Sequence, residues 1–255
     1  MLVACLQHVS FEGPGNIAQW AATRGHSLNV IHLSEDRTLP RTDEFDMLVV
    51  MGGPMSIHDE ADYGWLIPEK RLSAQSLDQK KFVLGVCLGS QLLADSFGSR
   101  VYRNRVREIG WFPIRLRPEG SQSPSFAGMP DRMDVLHWHG ETYDLPPGCV
   151  HLAESDGCLV QAFEHPLALG LQFHLEATPE GLRELIRNCG HEIGLGAFEQ
   201  SPEGMIAGES LHREVNHSAL YGILDSIERR IGSESAQSGP GICSKSAAAG
   251  KWQCS

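Results

Sequence analysis

The stretch Lys81-Lys-Phe-Val-Leu-Gly-Val-Cys-Leu-Gly-Ser-Gln-Leu-Leu-Ala94 decides how the rest of this sequence is interpreted. Its first part, Phe82 to Val86, is bulky and apolar, which predicts a buried strand. The leucines after Cys87 recur at helical spacing, which predicts a helix. Gly85 and Gly89 remove side chains on both sides of the cysteine, as a sharp turn requires. The stretch therefore predicts a strand, a tight turn at Cys87 and a helix.

A cysteine at such a turn is a candidate nucleophile. The turn exposes the sulfur above the edge of the sheet and aims the following N–H groups at whatever the sulfur attacks. The start of a helix also favours the thiolate, which is the reactive form of Cys87. The alternative is a buried structural cysteine whose flanking glycines serve only strand–helix packing.

Length and composition favour one α/β domain in a reducing compartment. The chain has 255 residues, enough for an ample core, and its seven cysteines show no C-x-x-C pairing. The net charge of −11 repels phosphate backbones and anionic membranes, so we expect neither nucleic acid nor a membrane as partner. No apolar run approaches the roughly 20 residues that span a bilayer. We therefore predict a cytoplasmic protein.

Strand and helix patterns alternate along the chain. Strands are predicted at residues 2–7, 27–33, 46–51, 82–86, 109–116, 133–137, 150–153, 159–163 and 169–173. Helices are predicted at residues 16–24 and 61–79, after Cys87, and from Thr178 and Ser201 onward. We expect one domain over residues 1–190, C-terminal helices over 191–231 that pack on it, and a disordered tail over 232–255, which is rich in Ser, Gly and Ala.

Two glycines follow the third predicted strand. Gly52 and Gly53 come directly after Met51, and glycines at the carboxyl end of a strand let backbone N–H groups approach a ligand closely. Gly52-Gly53 is therefore a candidate donor site for a developing oxyanion, together with the N–H of Leu88. An ordinary turn is the alternative.

A histidine and a glutamate end the last predicted strand. His174 and Glu176 are two residues apart, so their side chains point to one face and the carboxylate can orient the imidazole. If Cys87 lies within reach, the three side chains would supply a nucleophile, a general base and acid, and an orienting acid. The alternative is an exposed strand end that carries two polar residues without such a role.

Four arginines form a basic cluster in this acidic chain. Arg100, Arg103, Arg105 and Arg107 fall within a short segment. The cluster is interpreted either as a solvated face or as a docking site for an acidic partner or a substrate carboxylate. The residues alone do not separate these alternatives.

Three motifs together carry a resemblance to a known family. Gly52-Gly-Pro-Met-Ser56, Gly85-Val-Cys-Leu-Gly-Ser-Gln91 and Gln172-Phe-His-Leu-Glu176 resemble, in the family's order, the motifs of class I (triad) glutamine amidotransferases. The chain looks closest to the stand-alone GMP-synthase-like branch. The resemblance covers residues 1–190, which it identifies as a glutamine amidotransferase type 1 domain. It implies a flavodoxin-like α/β fold, an open, mostly parallel sheet with helices on both faces.

The resemblance also implies a reaction. Cys87 would attack the side-chain amide of glutamine or of another γ-glutamyl compound and form a γ-glutamyl thioester, which water then hydrolyses. His174 would move the proton and Glu176 would hold the imidazole. The oxyanion hole would be the N–H groups of Gly53 and Leu88.

Further substrate contacts follow from the same resemblance. The residues implied to contact the substrate are Gly52, Gln91, Trp138, His139, Gly140 and Glu141. His137 and His139 could also suggest a metal, but a metal site would need a third ligand that the sequence does not show. We therefore expect no metal, and we expect no cofactor. The sequence also shows no P-loop and no Gly-rich nucleotide fingerprint, so no fused synthase domain is expected.

Three hypotheses on the purpose of the protein remain open. The first is a γ-glutamyl amidase or peptidase whose acceptor is water, which the lack of a fused synthase domain favours. The second is a glutaminase subunit that delivers ammonia to a separate synthase partner. The third, from another class, is a binding or redox-sensing protein without hydrolysis, and the presence of both His174 and Glu176 argues against it.

Overall fold

One nine-stranded sheet runs through the part of the chain that the structure describes. The structure is a computed structural model that describes residues 1–35 and 38–237, with side chains to residue 233. The strands are β1 (Leu2–Gln7), β2 (Ser27–His32), β3 (Met47–Val50), β4 (Phe82–Val86), β5 (Val101–Leu116), β6 (Arg132–Tyr143), β7 (Val150–Glu154), β8 (Ala162–His165) and β9 (Ala168–Leu171). The helices are α1 (Gly15–Thr23), α2 (Leu66–Asp78), α3 (Leu88–Ser96), α4 (Pro118–Gln122), α5 (Pro179–Cys189) and α6 (Pro202–Gln237).

The strand order is β2-β1-β3-β4-β9-β8-β7-β5-β6. The first five strands in this order pair in parallel, which is the doubly wound arrangement of flavodoxin-like folds. The remaining strands pair antiparallel and extend the sheet beyond β9. The predicted flavodoxin-like fold is confirmed, and its parallel part is limited to five strands.

The two faces of the parallel strands bury separate cores. In β3, Met47 and Val49 join one apolar cluster, whereas Leu48 and Val50 join the other, as the alternation of side chains along a strand requires. Side chains of α1 and α6 cover the first face, and side chains of α2 and α3 cover the second. Helices therefore lie on both faces, and the carboxyl ends of the central strands remain free for a site.

The two long antiparallel strands differ from the predicted pattern. β5 begins at Val101 rather than at residue 109, so Arg103, Arg105 and Arg107 lie on a strand that starts directly after Arg100. β6 continues through residues 138–141 to Tyr143. The β5 extension was missed because residues 102–107 are mostly polar and exposed or half-buried, and its pairing with β6 shifts register between Arg103 and Glu108. The β6 extension was missed because His139, Gly140 and Glu141 do not continue the apolar pattern of the strand.

The C-terminal part also differs from the prediction. A single helix, α6, continues past the predicted end at residue 231 to Gln237. Leu220, Ile223 and Leu224 of this helix are buried in the first core, which anchors it, and the serine, glutamate and alanine that follow are compatible with helix. The prediction of a disordered tail is therefore wrong for residues 232–237, which are helical, and residues 238–255 lie outside the described part. In residues 1–35 and 38–237, none of the helices has both the length and the apolar composition that crossing a membrane requires.

Candidate active site

The turn between β4 and α3 holds Cys87 in a backbone conformation that is rare for a residue with a side chain. Its φ is +51° and its ψ is −108°, and such strain typically costs about 1–3 kcal/mol. The Cys87 N–H donates to the carbonyl of Leu171 at 2.7 Å, which ties the turn to β9. A Cβ at Gly85 would collide with the backbone of α3, and a Cβ at Gly89 would collide with that of Val50. The predicted tight turn at Cys87 is present.

His174 and Glu176 lie just beyond β9. The His174 N–H donates to the carbonyl of Leu136 at 2.8 Å, which fixes the backbone beside β6. His174 Nδ1 is 2.7 Å from Glu176 Oε1. A Cβ placed on Gly52 would lie 3.1 Å from the His174 ring and 3.4 Å from the Cβ of Cys87, so these two side chains adjoin the same glycine. All three side chains are buried. The structure thus brings Cys87 together with His174 and Glu176 from a distant part of the chain.

Burial and charge set the protonation of Cys87 and His174. Burial raises the pKa of the Cys87 thiol, although the hydrogen bond and the charge of His174 oppose this effect. Burial also disfavours the His174 imidazolium, but the Glu176 carboxylate and the hydrogen bonds to Cys87 and Glu176 outweigh burial and hold the His174 pKa well above 6.5. A protonated ring beside the sulfur is the charge that stabilises a thiolate.

The predicted oxyanion donors flank the sulfur. Gly53 and Leu88 both line the cleft that contains Cys87. The Leu88 N–H lowers the pKa of the Cys87 thiol, in opposition to the larger effect of burial. The cleft therefore presents two backbone positions beside one thiol.

A buried histidine holds the Gly52–Gly53 peptide from behind. His8 Nδ1 is 2.9 Å from the Gly52 carbonyl oxygen, and His8 Nε2 is 2.9 Å from Glu69 Oε1. Burial disfavours a charged His8, but Glu69 and the Gly52 carbonyl outweigh burial and raise the His8 pKa. Because a peptide unit is planar, this hydrogen bond also fixes the direction of the Gly53 N–H. Sequence reasoning missed His8 and Glu69, since no spacing links a strand end to a residue within α2.

The cleft over Cys87, hereafter the Cys87 cleft, has a volume of about 320 Å³. Five of the residues predicted to contact substrate line it: Gln91, Trp138, His139, Gly140 and Glu141. Gly52 lies behind them, where a Cβ would press on the His174 ring and on Cys87. The Cys87 thiol lies 3.6 Å from the Trp138 carbonyl and donates to it, so β6 forms one wall of the cleft.

Further charged side chains line the Cys87 cleft, among them one arginine of the cluster that was considered as a docking site for a substrate carboxylate. Arg107, one of the four clustered arginines, reaches it and lies 3.2 Å from Glu199 Oε1. Asp59, Glu12 and Glu192 contribute carboxylates. Burial raises the pKa of Glu12, and the neighbouring histidines act in the opposite direction. A cleft with one guanidinium and several carboxylates suits a ligand that carries both signs of charge.

A buried ionic cluster supports the β6 wall. Glu108, His137 and His139 bring three atoms that could bind a metal within 4.8 Å of one another. Sequence reasoning missed Glu108 as a third ligand because it lies on β5. Its carboxylate accepts hydrogen bonds from Ser155 Oγ at 2.6 Å and from Gln161 Nε2 at 2.7 Å, and it lies 3.1 Å from His139 Nε2. Because Glu108 already has these partners, the cluster fits a hydrogen-bonded support better than a metal site.

The protonation states of Glu108 and His137 are consistent with a hydrogen-bonded support for the β6 wall. Burial would raise the Glu108 pKa, but the hydrogen bonds and charges of its neighbours, His139 first among them, lower it to about 2. Burial lowers the His137 pKa to about 4. An ionised carboxylate therefore lies beside a neutral His137 under the cleft wall.

Comparison with known proteins identifies the family. The family model for class I glutamine amidotransferases matches residues 14–193. A glutamine amidotransferase-like protein of Salmonella typhimurium, YfeJ, is 35% identical over 198 residues, which cover 76% of this chain and 83% of YfeJ. One component of the glutamine-hydrolysing GMP synthase of Thermococcus kodakarensis is 38% identical over 44% of this chain and 60% of that component.

A solved structure agrees with these matches. The crystal structure of a glutamine amidotransferase from Thermotoga maritima superimposes with a TM-score of 0.81 at 28% identity, covering 91% of this chain and 98% of the other. The likeness thus extends over the fold as well as the motifs. The chain belongs to the class I glutamine amidotransferase family.

Proposed function

We propose that this protein hydrolyses the side-chain amide of glutamine or of another γ-glutamyl compound through a cysteine-linked intermediate. The observation that carries the proposal is the buried cluster of Cys87, His174 and Glu176, in which Cys87 lines the Cys87 cleft and the His174 ring is bonded to Glu176. A thiol, an imidazole and a carboxylate in this order support nucleophilic acyl transfer. Cys87 is the proposed nucleophile, His174 the general base and acid, and Glu176 the group that orients the imidazole.

The first half of the reaction forms the thioester. The Cys87 sulfur bonds to the amide carbon while its proton passes to His174. The carbonyl oxygen becomes an oxyanion and accepts hydrogen bonds from the N–H groups of Gly53 and Leu88. The carbon–nitrogen bond then breaks, and His174 returns the proton to the leaving nitrogen, so ammonia or an amine departs and a γ-glutamyl thioester remains.

The second half consumes water. His174 takes a proton from a water molecule as the water oxygen bonds to the thioester carbon. The carbon–sulfur bond breaks, glutamate is released, and His174 returns the proton to the sulfur. The reaction thereby restores the Cys87 thiol and adds one water molecule across the original amide.

The amino-acid end of the substrate would occupy the outer part of the cleft. Arg107 is the cation suited to the α-carboxylate, and the carboxylates of Asp59 and Glu192 suit the α-ammonium. The remaining proposed contacts are Gly52, Gln91, Trp138, His139, Gly140 and Glu141. The mixed charge of the cleft supports a zwitterionic substrate.

The test is hydrolysis by the purified protein. Ammonia and glutamate should appear in equal amounts from glutamine, and mass spectrometry of the quenched enzyme should detect a γ-glutamyl adduct on the peptide that contains Cys87. Cys87→Ala should abolish both signals. Cys149→Ala removes a half-buried thiol that does not line the cleft and should leave both intact. Undiminished ammonia release by Cys87→Ala would contradict the assignment.

A second candidate is a glutaminase component that supplies ammonia to a separate synthase. The match to one component of a glutamine-hydrolysing GMP synthase favours it. Under this candidate, basal glutaminase activity is near zero and rises when cell extract supplies the partner. High basal activity that extract does not change supports the hydrolase instead.

A further inference from the structure

A second cavity adjoins the Cys87 cleft at Glu12. This cavity, hereafter the α5 groove, has a volume of about 250 Å³. Glu12 lines both the groove and the cleft. His174 lines the groove, whereas Cys87 lines the cleft. The two cavities are therefore neighbours, and each is lined by one member of the proposed proton-transfer pair.

The proposed reaction determines where the leaving nitrogen lies relative to the two cavities. Since His174 Nδ1 is bonded to Glu176, the other ring nitrogen must carry the proton between the sulfur and the leaving nitrogen. The leaving nitrogen therefore lies beside His174 when the γ-glutamyl part occupies the Cys87 cleft. The α5 groove, which His174 lines and which shares Glu12 with the cleft, is the neighbouring space for atoms attached to that nitrogen.

We propose that the α5 groove binds the leaving group, and that this group is an amine with an apolar body and no carboxylate. The proposal rests on the proposed hydrolysis and deepens it by naming the class of substrate, γ-glutamyl amides of apolar amines. Ammonia alone would leave the groove unused.

The lining of the groove selects for an apolar body. Its apolar side chains are those of Phe11, Leu136, Ala177, Leu182 and Leu185. Two of them, Leu182 and Leu185, belong to the buried face of α5. An aryl-alkyl or branched alkyl group placed there leaves water and gains dispersion contacts with these side chains.

The charge of the groove selects against a carboxylate. Among the described residues, its ionisable side chains are Glu12, His174, Glu176, Glu180 and Glu184, and neither lysine nor arginine lines it. Arg183 and Arg187 are exposed and lie outside the lining. The four glutamates outnumber the single imidazolium of His174, so the carboxylate of a leaving amino acid would face mainly groups of its own charge, an arrangement that opposes binding. The groove thus favours an amidase over a peptidase.

A matched pair of substrates tests the proposal. γ-Glutamyl-phenethylamide and γ-glutamyl-phenylalanine share one apolar body and differ by the carboxylate, and glutamine is the reference. We expect kcat/KM for the phenethylamide to exceed that for γ-glutamyl-phenylalanine by at least about tenfold and to exceed that for glutamine. An equal or higher value for γ-glutamyl-phenylalanine overturns the proposal. Turnover of glutamine alone overturns the proposal but leaves the hydrolase intact, whereas no turnover of any compound overturns both.

A groove-filling variant tests the location. Gly181 lines the groove, and a Cβ there would meet only Thr178 Oγ1, at 3.3 Å. Gly181→Phe should lower the ratio of kcat/KM for the phenethylamide to that for glutamine by at least about tenfold. Gly232→Phe is the matched control, because a Cβ at Gly232 has no neighbour within 4 Å among the described residues, and it should leave the ratio unchanged. An unchanged ratio in Gly181→Phe overturns the proposal.

Product inhibition provides a measurement on the unaltered protein, in case Gly181→Phe does not fold. Free phenethylamine should inhibit turnover of glutamine at a concentration at least about tenfold below that of phenylalanine. Stronger inhibition by phenylalanine overturns the proposal. If phenethylamine, raised to its limit of solubility, does not inhibit glutamine turnover at all, the proposal is also overturned.

Discussion

His8 Nδ1 lies 2.9 Å from the carbonyl oxygen of Gly52, so a fully buried histidine determines how the Gly52–Gly53 peptide is oriented beside the Cys87 cleft. His8 does not touch the cleft itself. It acts as a positioning residue for the Gly53 N–H, and its ring is held in turn by Glu69. The pair lies behind the proposed oxyanion hole and has no other evident part in the reaction.

Loss of His8 should therefore lower kcat more than it changes KM. Removal of a complete oxyanion donor costs about 10²–10³ in kcat, and we expect a loss of about tenfold for a misdirected donor in His8→Leu combined with Glu69→Leu. The paired substitution avoids an unpaired buried carboxylate. Glu69→Gln is the matched control, since the amide oxygen of the glutamine can still accept a hydrogen bond from His8 Nε2. This variant should retain most of the kcat of the unaltered protein. A rise in KM at constant kcat would instead assign His8 to substrate binding.

Cys87→Ala and His174→Ala should show strongly non-additive losses. The two side chains act in the same proton transfer, so the double variant should be about as slow as either single variant. Steady-state glutaminase kinetics on all three variants, with thermal unfolding to verify the fold, measure this. Losses that multiply in the double variant would show that the two residues act independently.

Glu176→Gln should move the acid limb of the pH–rate profile to lower pH. The Glu176 charge raises the His174 pKa, so its removal lets the Cys87–His174 pair give up its first proton at lower pH. The maximal rate should fall at the same time, because the imidazolium loses its partner. The pH dependence of kcat/KM and of iodoacetamide alkylation of Cys87 report this shift. A shift to higher pH would contradict the assigned roles.

Glu108 should contribute stability that acid removes. Its pKa in the folded protein is about 2, compared with an ordinary value of 4.5, so its contribution is present above pH 4.5 and is lost as the pH falls towards 2. The contribution is about 3 kcal/mol. Glu108→Gln should unfold with a flatter pH dependence in this range, as followed by denaturant titration at several pH values. Exposed Glu214, exchanged for glutamine, is the control and should retain the wild-type slope.

Arg107→Gln should raise KM for glutamine while kcat changes little. The guanidinium is the proposed partner of the α-carboxylate, an interaction that is equally strong in the ground and transition states. Arg107→Lys should recover part of the affinity. Arg105→Gln, on the same strand but outside the cleft lining, should behave like the unaltered protein. Equal effects at both positions would point to a general effect of charge on the surface.

The parts of the site that the sequence predicts are those determined by local pattern. The apolar run to Val86 and the glycines around Cys87 determine the turn without reference to the rest of the chain. His174 and Glu176 could be placed because they follow closely on an apolar strand and lie two residues apart, although β9 itself ends at Leu171. Each of these inferences needs only neighbouring residues.

The residues that were missed depend on long-range pairing. His8 and Glu69 are 61 positions apart, and Glu108 meets His139 only through the register of β5 against β6. The register of an antiparallel pair with a bulge, such as the one between Arg103 and Glu108, is set by contacts that no local pattern encodes. Glu12 and Arg107 likewise reach the cleft by way of the tertiary fold.

The strained backbone at Cys87 links chemical reactivity to thermal stability. A φ of +51° is a backbone conformation that glycine adopts without penalty. Cys87→Gly should therefore give a catalytically dead protein that melts at a higher temperature than Cys87→Ala. At this position, selection for thermal stability would favour glycine, whereas selection for catalysis would favour cysteine.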